Sequence, residues 1–265
     1  MSNFFTEEFY SPSVGDWLTA TELISDDVSQ TKLLISDDPS ADRLVSIGAN
    51  PSTFLRPGTG KVDFEYLTDQ INFRQQQIPL WKALQITQQE RYDSQQTYYQ
   101  AGQGLHKKYG GGLELTRENV ISSLLQQGIL LRELTQINLY SFRTKNSQIL
   151  KKMLDRVSAD DLKLMMQSTL ECLSQAIDQA DLIFIGWGAS LGDQILAQPR
   201  FDWYRHSLYE LLEPQFDKLI CMKLSKTLQP YHPSSARYKV VPLSTLIDRT
   251  DFQKLFKLKK QLLKF

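Results

Sequence analysis

Three polar residues stand where apolar runs end, and their types suit recognition of a planar polar ligand. Asn50 lies in Gly48-Ala49-Asn50-Pro51-Ser52, Asn138 in Gln136-Ile137-Asn138-Leu139-Tyr140, and His232 in Tyr231-His232-Pro233-Ser234-Ser235. Pro51 fixes its own φ and pushes Asn50 out of the helical region, which holds the carboxamide at a strand end. A carboxamide is not a strong base, but it can orient a water or hydrogen-bond a substrate. It can equally form a turn with its own backbone. Asn138 interrupts an apolar strand, and a buried amide is costly unless paired. It presents one donor and one acceptor, either to a ligand such as a pyrimidine edge or to a neighbouring loop. The His232 imidazole can hydrogen-bond a developing oxyanion, or serve only as a surface histidine in a proline turn.

The elements that must position these residues follow from the hydrophobic pattern. Leu44–Gly48, Thr135–Tyr140, Leu182–Trp187 and Lys218–Lys223 are near-continuous apolar runs, as in strands covered on both faces. Helical patterns lie between them. One covers Ser147–Arg156, a second runs over 158–179 behind the capping sequence Ser-Ala-Asp-Asp, and a third covers about 203–213. Phe252–Leu263 reads as a basic amphipathic terminal helix. Alternating strands and helices predict an α/β fold, a three-layer α/β/α sandwich on a short parallel sheet with right-handed crossovers. Ligands then bind beyond the carboxyl ends of the strands, where Asn50 and His232 would face one crevice.

The interval 54–113 breaks this rhythm, being rich in Gln and Tyr and then in Gly, and reads as a functional insertion within one domain spanning 1–265. Gly186-Trp187-Gly188-Ala189-Ser190-Leu191-Gly192 has the spacing of a tight strand-to-helix turn, not that of a dinucleotide fingerprint.

Bulk properties narrow the class. The chain of 265 residues is 41% apolar and 23% charged, ordinary values for a globular protein. No run has the length of a membrane span, and the first residues lack the basic and apolar regions of a signal peptide. With only Cys172 and Cys221, no disulfide framework is expected, and a cytoplasmic location fits best. The histidines and cysteines show no metal-ligand spacing, so neither a metal nor a cofactor is expected. The zero net charge hides an asymmetry. Residues 1–47 carry nine acids and two bases, whereas 222–265 carry ten bases and two acids. A basic C-terminal third, with Lys226, Arg237 and Lys239 near the His232 turn, suits an anionic partner such as DNA or a nucleotide. A solvated helix face, or an internal match to the acidic N-terminus, is the other explanation.

The ordered blocks GANPST, INLYSFRTKN, LIFIGWGAS and LQPYHPSS resemble the domain-of-unknown-function family 1643, over roughly 43–53 and 114–240. More distantly, they are similar to the uracil-DNA glycosylase superfamily. That resemblance implies a glycosylase-like fold in which Asn50 positions the attacking water and Asn138 reads the base edge. His232 would bond uracil O2, and the loop of Pro233 and Ser234 would enter the DNA. Phe54 and Phe64 match the aromatic-bearing segment after the first motif and would stack on the base. Apart from the resemblance, Asp63 is a fallback general base on its nearness in sequence alone. The chain departs from the pattern at Ser52, which stands in place of a glycine beside the base, and at HPSS, which lacks a second proline. The cluster cysteines of the iron–sulfur branches are absent. The resemblance implies nucleobase or nucleic-acid recognition with hydrolysis of an N-glycosidic bond. A non-catalytic nucleotide- or nucleic-acid-binding protein and a modified-base transferase are the alternatives.

Overall fold

The computed structural model describes residues 8–11, 16–19, 31–34, 38–49, 120, 121, 123–140, 147–233 and 238–258. Strands β1 (Glu8–Ser11) and β2 (Asp16–Thr19) form a separate two-stranded antiparallel sheet. The main sheet has six strands. They are β3 (Thr31–Leu34), β4 (Asp42–Gly48), β5 (Leu131–Asn138), β6 (Leu182–Ile185), β7 (Leu219–Cys221) and β8 (Val241–Pro242), in spatial order β3-β5-β4-β6-β7-β8.

The four strands expected from apolar runs form its parallel centre, β5-β4-β6-β7. The expectation of a wholly parallel sheet is corrected at both edges, where β3 runs antiparallel to β5 and β8 antiparallel to β7. Both edge strands are short. β8 is only Val241-Pro242, and a proline is tolerated there because an edge strand need not donate every ladder bond.

From β4 the chain moves to β5 on one side, then returns past β4 to β6 and on to β7. Crossovers that keep one hand must change face when the direction reverses. The packing has this form. The helical residues Val120, Ile121, Leu124 and Leu125 come between β4 and β5 and pack with Leu44, Leu134, Phe184 and Ile220 on one face. The other face carries α1 (Ser147–Arg156), α2 (Ala159–Asp178) and α3 (Asp202–Leu212), against Val45, Ile47, Ile137, Ile183 and Ile185. Residues alternate between these two cores along β6 and β7 and from Leu44 to Val45 in β4, as the strand period of two requires.

Helix α2 starts as its sequence suggests. The Ser158 side chain accepts from the Asp161 N–H, and Asp160 and Asp161 occupy the first turn, favourable for the helix dipole. The C-terminal expectation is corrected. Arg249–Phe256 is a 3-10 helix, and the chain turns at Lys257, a left-handed residue with φ 54°. It buries Phe252, Leu255 and Phe256. Within the described residues the helix therefore starts three positions earlier than the pattern predicts and ends at Phe256. Among the described residues, no helix is long and apolar enough to cross a membrane.

Candidate functional site

The direction of the chain reverses at β4, and the carboxyl ends of β5, β4 and β6 therefore mark the position where open α/β sheets bind ligands. Gly48 ends β4 and pairs with Asn138, which ends β5. On the other side Ile47 pairs with Ile185, and the Gly186 N–H donates to the Ile47 carbonyl. Gly48, Asn138 and Gly186 thus lie in one row across three strands. Neighbouring strands are about 4.8 Å apart, so Asn138 and Gly186 are separated by roughly 10 Å of backbone, about the width of one base.

The glycines in this row are close-approach positions. A Cβ on Gly48 would lie 2.6 Å from Asn138 Oδ1, so the Asn138 amide lies across the end of β4. A Cβ on Gly186 would meet the Phe184 ring and come 3.0 Å from Pro233 Cδ. Gly188 has φ +87°, a conformation other residues rarely adopt, and its Cβ direction points to His232 Cβ at 3.5 Å. The His232–Pro233 turn is therefore seated on the Gly186-Trp187-Gly188 turn. The glycines of that motif form a tight strand-to-helix connection, as the spacing indicated.

Each polar group is held from behind. The Asn138 carboxamide makes no hydrogen bond to another described residue and is half-buried. The backbone just after it is fixed. Leu139 N–H donates to Gly48 O, Tyr140 N–H to Ala49 O, and the buried Tyr204 hydroxyl of α3 to Leu139 O at 3.0 Å. Tyr204→Phe should cost about 1 kcal/mol of stability, the net worth of one neutral hydrogen bond. Urea unfolding measures this, and no change would show that the bond does not hold the end of β5.

His232 lies half-buried, and burial lowers its pKa from the usual 6.5, so the ring is neutral at pH 7 and can offer one N–H donor. The sign of the linkage follows. Below about pH 6.5 the unfolded chain takes up a proton at this histidine that the folded chain resists. Stability associated with His232 is complete above 6.5 and falls as pH drops through the lowered folded value. Thermal unfolding between pH 7.5 and 5.5 should show this decline in the wild type and a flatter profile in His232→Gln. Identical slopes would contradict it.

Beside the turn, Tyr231 and Tyr238 pack edge to face at 5.5 Å, and Lys223 Nζ lies 4.6 Å from the Tyr238 ring centre and 5.7 Å from that of Tyr231. These three residues bracket both ends of the loop that carries Pro233. Lys226 and Lys239 are exposed and make no ion pair with a described residue. Three other C-terminal bases form ion pairs. Lys257 pairs with Asp193, Arg249 with Glu213 and Asp217, and Lys254 with Asp251. These partners are not the N-terminal acids that the charge asymmetry suggested.

The structure thus brings Asn138, His232 and Pro233 to one edge of the sheet. Asn50, Ser52, Phe54, Asp63, Phe64, Ser234 and Arg237, with the whole 54–113 insertion, lie outside the described residues. Sequence reasoning missed Gln136, which lies on the same face of β5 two residues before Asn138 and is buried. The period-two spacing of two amides was the available signal. It also missed Gln229. A cavity of about 110 Å³ opens at the opposite edge of the sheet, lined by Arg43, Glu133, Thr135, Gln175 and Gln179, and contains none of the expected site residues. Cys221 is buried and its thiol is pushed up to about 12. It and Cys172 are free thiols. Among the described residues, no three His, Cys, Asp or Glu side chains are grouped to hold a metal.

Residues 112–234 match a family described as Protein of unknown function (DUF1643). The match includes Asn138, the Gly186–Gly188 turn, His232 and Pro233, and starts after the GANPST block. No curated protein and no solved structure matches the chain.

Proposed function

We propose that the crevice beyond β4, β5 and β6 receives a nucleobase turned out of a nucleic-acid strand, and that the chain hydrolyses its N-glycosidic bond as DNA glycosylases do. The observation that carries this reading is the row Asn138–Gly48–Gly186. An amide with no hydrogen bond to a described residue stands at one end, and the His232 turn stands over the other, about one base width away. A flipped base is read by its polar edge and held by stacking. Asn138 supplies a donor and an acceptor for that edge. His232, neutral through burial, donates to a carbonyl oxygen of the base. Phe54 or Phe64 would stack on the ring, Pro233 and Ser234 would enter beside it, and Lys226, Arg237 and Lys239 would contact phosphate.

In the reaction the C1′–N1 bond breaks and its electron pair passes to the base, where the His232 hydrogen bond stabilises the growing charge on oxygen. Water held by Asn50 forms the new C1′–O bond and releases a proton to solvent. Stabilisation of the leaving base then carries most of the rate.

A binding role without chemistry is the second reading. It is favoured by the absence of a carboxylate among the described residues of the crevice row. Incubation with single-stranded and duplex oligonucleotides containing uracil, followed by alkaline cleavage at abasic sites, separates the two. Cleavage by the wild type that is lost in Asn50→Ala supports hydrolysis. Salt-sensitive binding without abasic sites leaves the binding role, and no binding of either oligonucleotide overturns both.

A further inference from the structure

We infer that Gln229, three residues before His232, is the positioning residue that sets the His232 turn on the end of β6. Gln229 is fully buried, at 0% exposure, in a loop whose other polar residues reach solvent. Its Oε1 accepts from Trp187 Nε1 at 3.2 Å, and its Nε2 donates to the Leu255 carbonyl at 2.6 Å. One amide thus joins three segments: the Gly186–Gly188 turn, the loop before His232, and the C-terminal 3-10 helix. The side chain also fills the space that a Cβ on Gly192 would need. Gly192 starts a π-helical segment, Gly192–Leu196, a form often found at functional sites.

The loop leaves Gln229 little freedom. Ser225 N–H donates to Gln229 O, Gln229 N–H to Ser225 Oγ, and Tyr231 N–H to Lys223 O. Leu228 adopts a left-handed φ of 61°, which turns the chain so that Gln229 enters the core. A second tie lies outside. Lys257 pairs with Asp193 at 3.0 Å and donates to Thr227 O, while Thr227 Oγ1 donates to Asp193. The inner and outer ties act on the same loop, and His232 and Pro233 follow it directly onto Gly188 and Gly186. Gln229 therefore acts on the site through His232 and touches no ligand itself.

The inference rests on the reading of His232 as a base-contacting group, and its test separates the two. In Gln229→Met the shape is kept and both amide bonds are lost. With far-UV circular dichroism unchanged, the His232 imidazole resonances of the histidine-labelled full chain should move away from their wild-type positions, and their titration midpoint should rise toward 6.5. Affinity for a single-stranded oligonucleotide containing one uracil should fall roughly tenfold as the competent loop position is depopulated. An unchanged His232 signal in a folded variant overturns the inference, whatever the affinity. A moved His232 signal, with no oligonucleotide binding by the wild type, supports the positioning role and overturns the base-binding reading instead.

Hydrogen exchange on the wild type provides the test if the variant does not fold. The Trp187 indole N–H and the Tyr231 amide should then open together, within about a factor of three in rate. A Tyr231 amide that exchanges freely while the indole stays protected shows a loop that moves independently of Gln229, and overturns the inference.

Discussion

Gly48→Ala should abolish recognition of the base edge while leaving the fold almost intact. The new methyl group would stand 2.6 Å from Asn138 Oδ1, and the amide is short, half-buried and without a hydrogen bond to any described residue, so it can swing away at little cost. One two-point polar contact to a base is worth about 1–3 kcal/mol, so affinity should fall roughly 5- to 150-fold. Urea unfolding should change by less than about 1 kcal/mol, as expected for a substitution outside the packed core. Equal affinity in the variant would mean that Asn138 does not face the ligand. Gly186→Ala is a different case, because its methyl group meets the ring of buried Phe184 and Pro233, neither of which can turn aside. There, stability and site geometry fail together.

Phe252→Ala should produce the largest stability loss, about 3–5 kcal/mol for an aromatic removed from a packed interior. Phe252 is buried, and its ring centre lies 5.8 Å from Tyr209, 5.4 Å from Phe216 and 5.2 Å from Phe256. At roughly 2–4 °C per kcal/mol for a chain of this size, Tm should drop on the order of 10 °C. The effect should reach the site as well, because Leu255 O and Lys257 on the same segment hold Gln229 and Thr227. Calorimetry and oligonucleotide binding on one preparation measure both. A loss below about 1 kcal/mol would contradict the placement of the C-terminal 3-10 helix in the core.

What was legible in the sequence follows from local physics. The four central strands are long or strongly apolar runs, and α1, α2 and α3 have clear periodicity or caps, so each was found within a few residues. The edge strands escaped because Thr31–Leu34 and Val241–Pro242 are too short to show a period. The terminal helix was misplaced because Phe252, Leu255, Phe256 and Leu258 keep an apolar rhythm through the turn at Lys257. That turn is set by distant partners, Asp193 and Thr227, which no local pattern reveals.

The same division holds at the site. The place of Asn138 was legible because it closes an apolar run, whereas His232 lies eleven residues beyond the end of β7 and is brought to the sheet by its packing on Gly188, not by a strand end. Gln229 was not legible. A glutamine between Leu228 and Pro230 reads as an ordinary loop residue, and only the arrival of Trp187 and Leu255 makes it a buried junction. The charge asymmetry was read correctly as composition, but several of its bases are paired with acids outside the N-terminal region.

Base occupancy of the crevice is tested most directly by equilibrium binding of two single-stranded oligonucleotides that differ at one position. One carries uracil there and the other a stable abasic analogue. Fluorescence anisotropy at fixed salt should show the wild type preferring the uracil strand by at least roughly tenfold, the value of one good polar base contact. In Asn138→Ala that preference should vanish, while the salt-dependent phosphate contribution remains. Equal binding of both strands by the wild type would contradict a nucleobase held between Asn138 and His232.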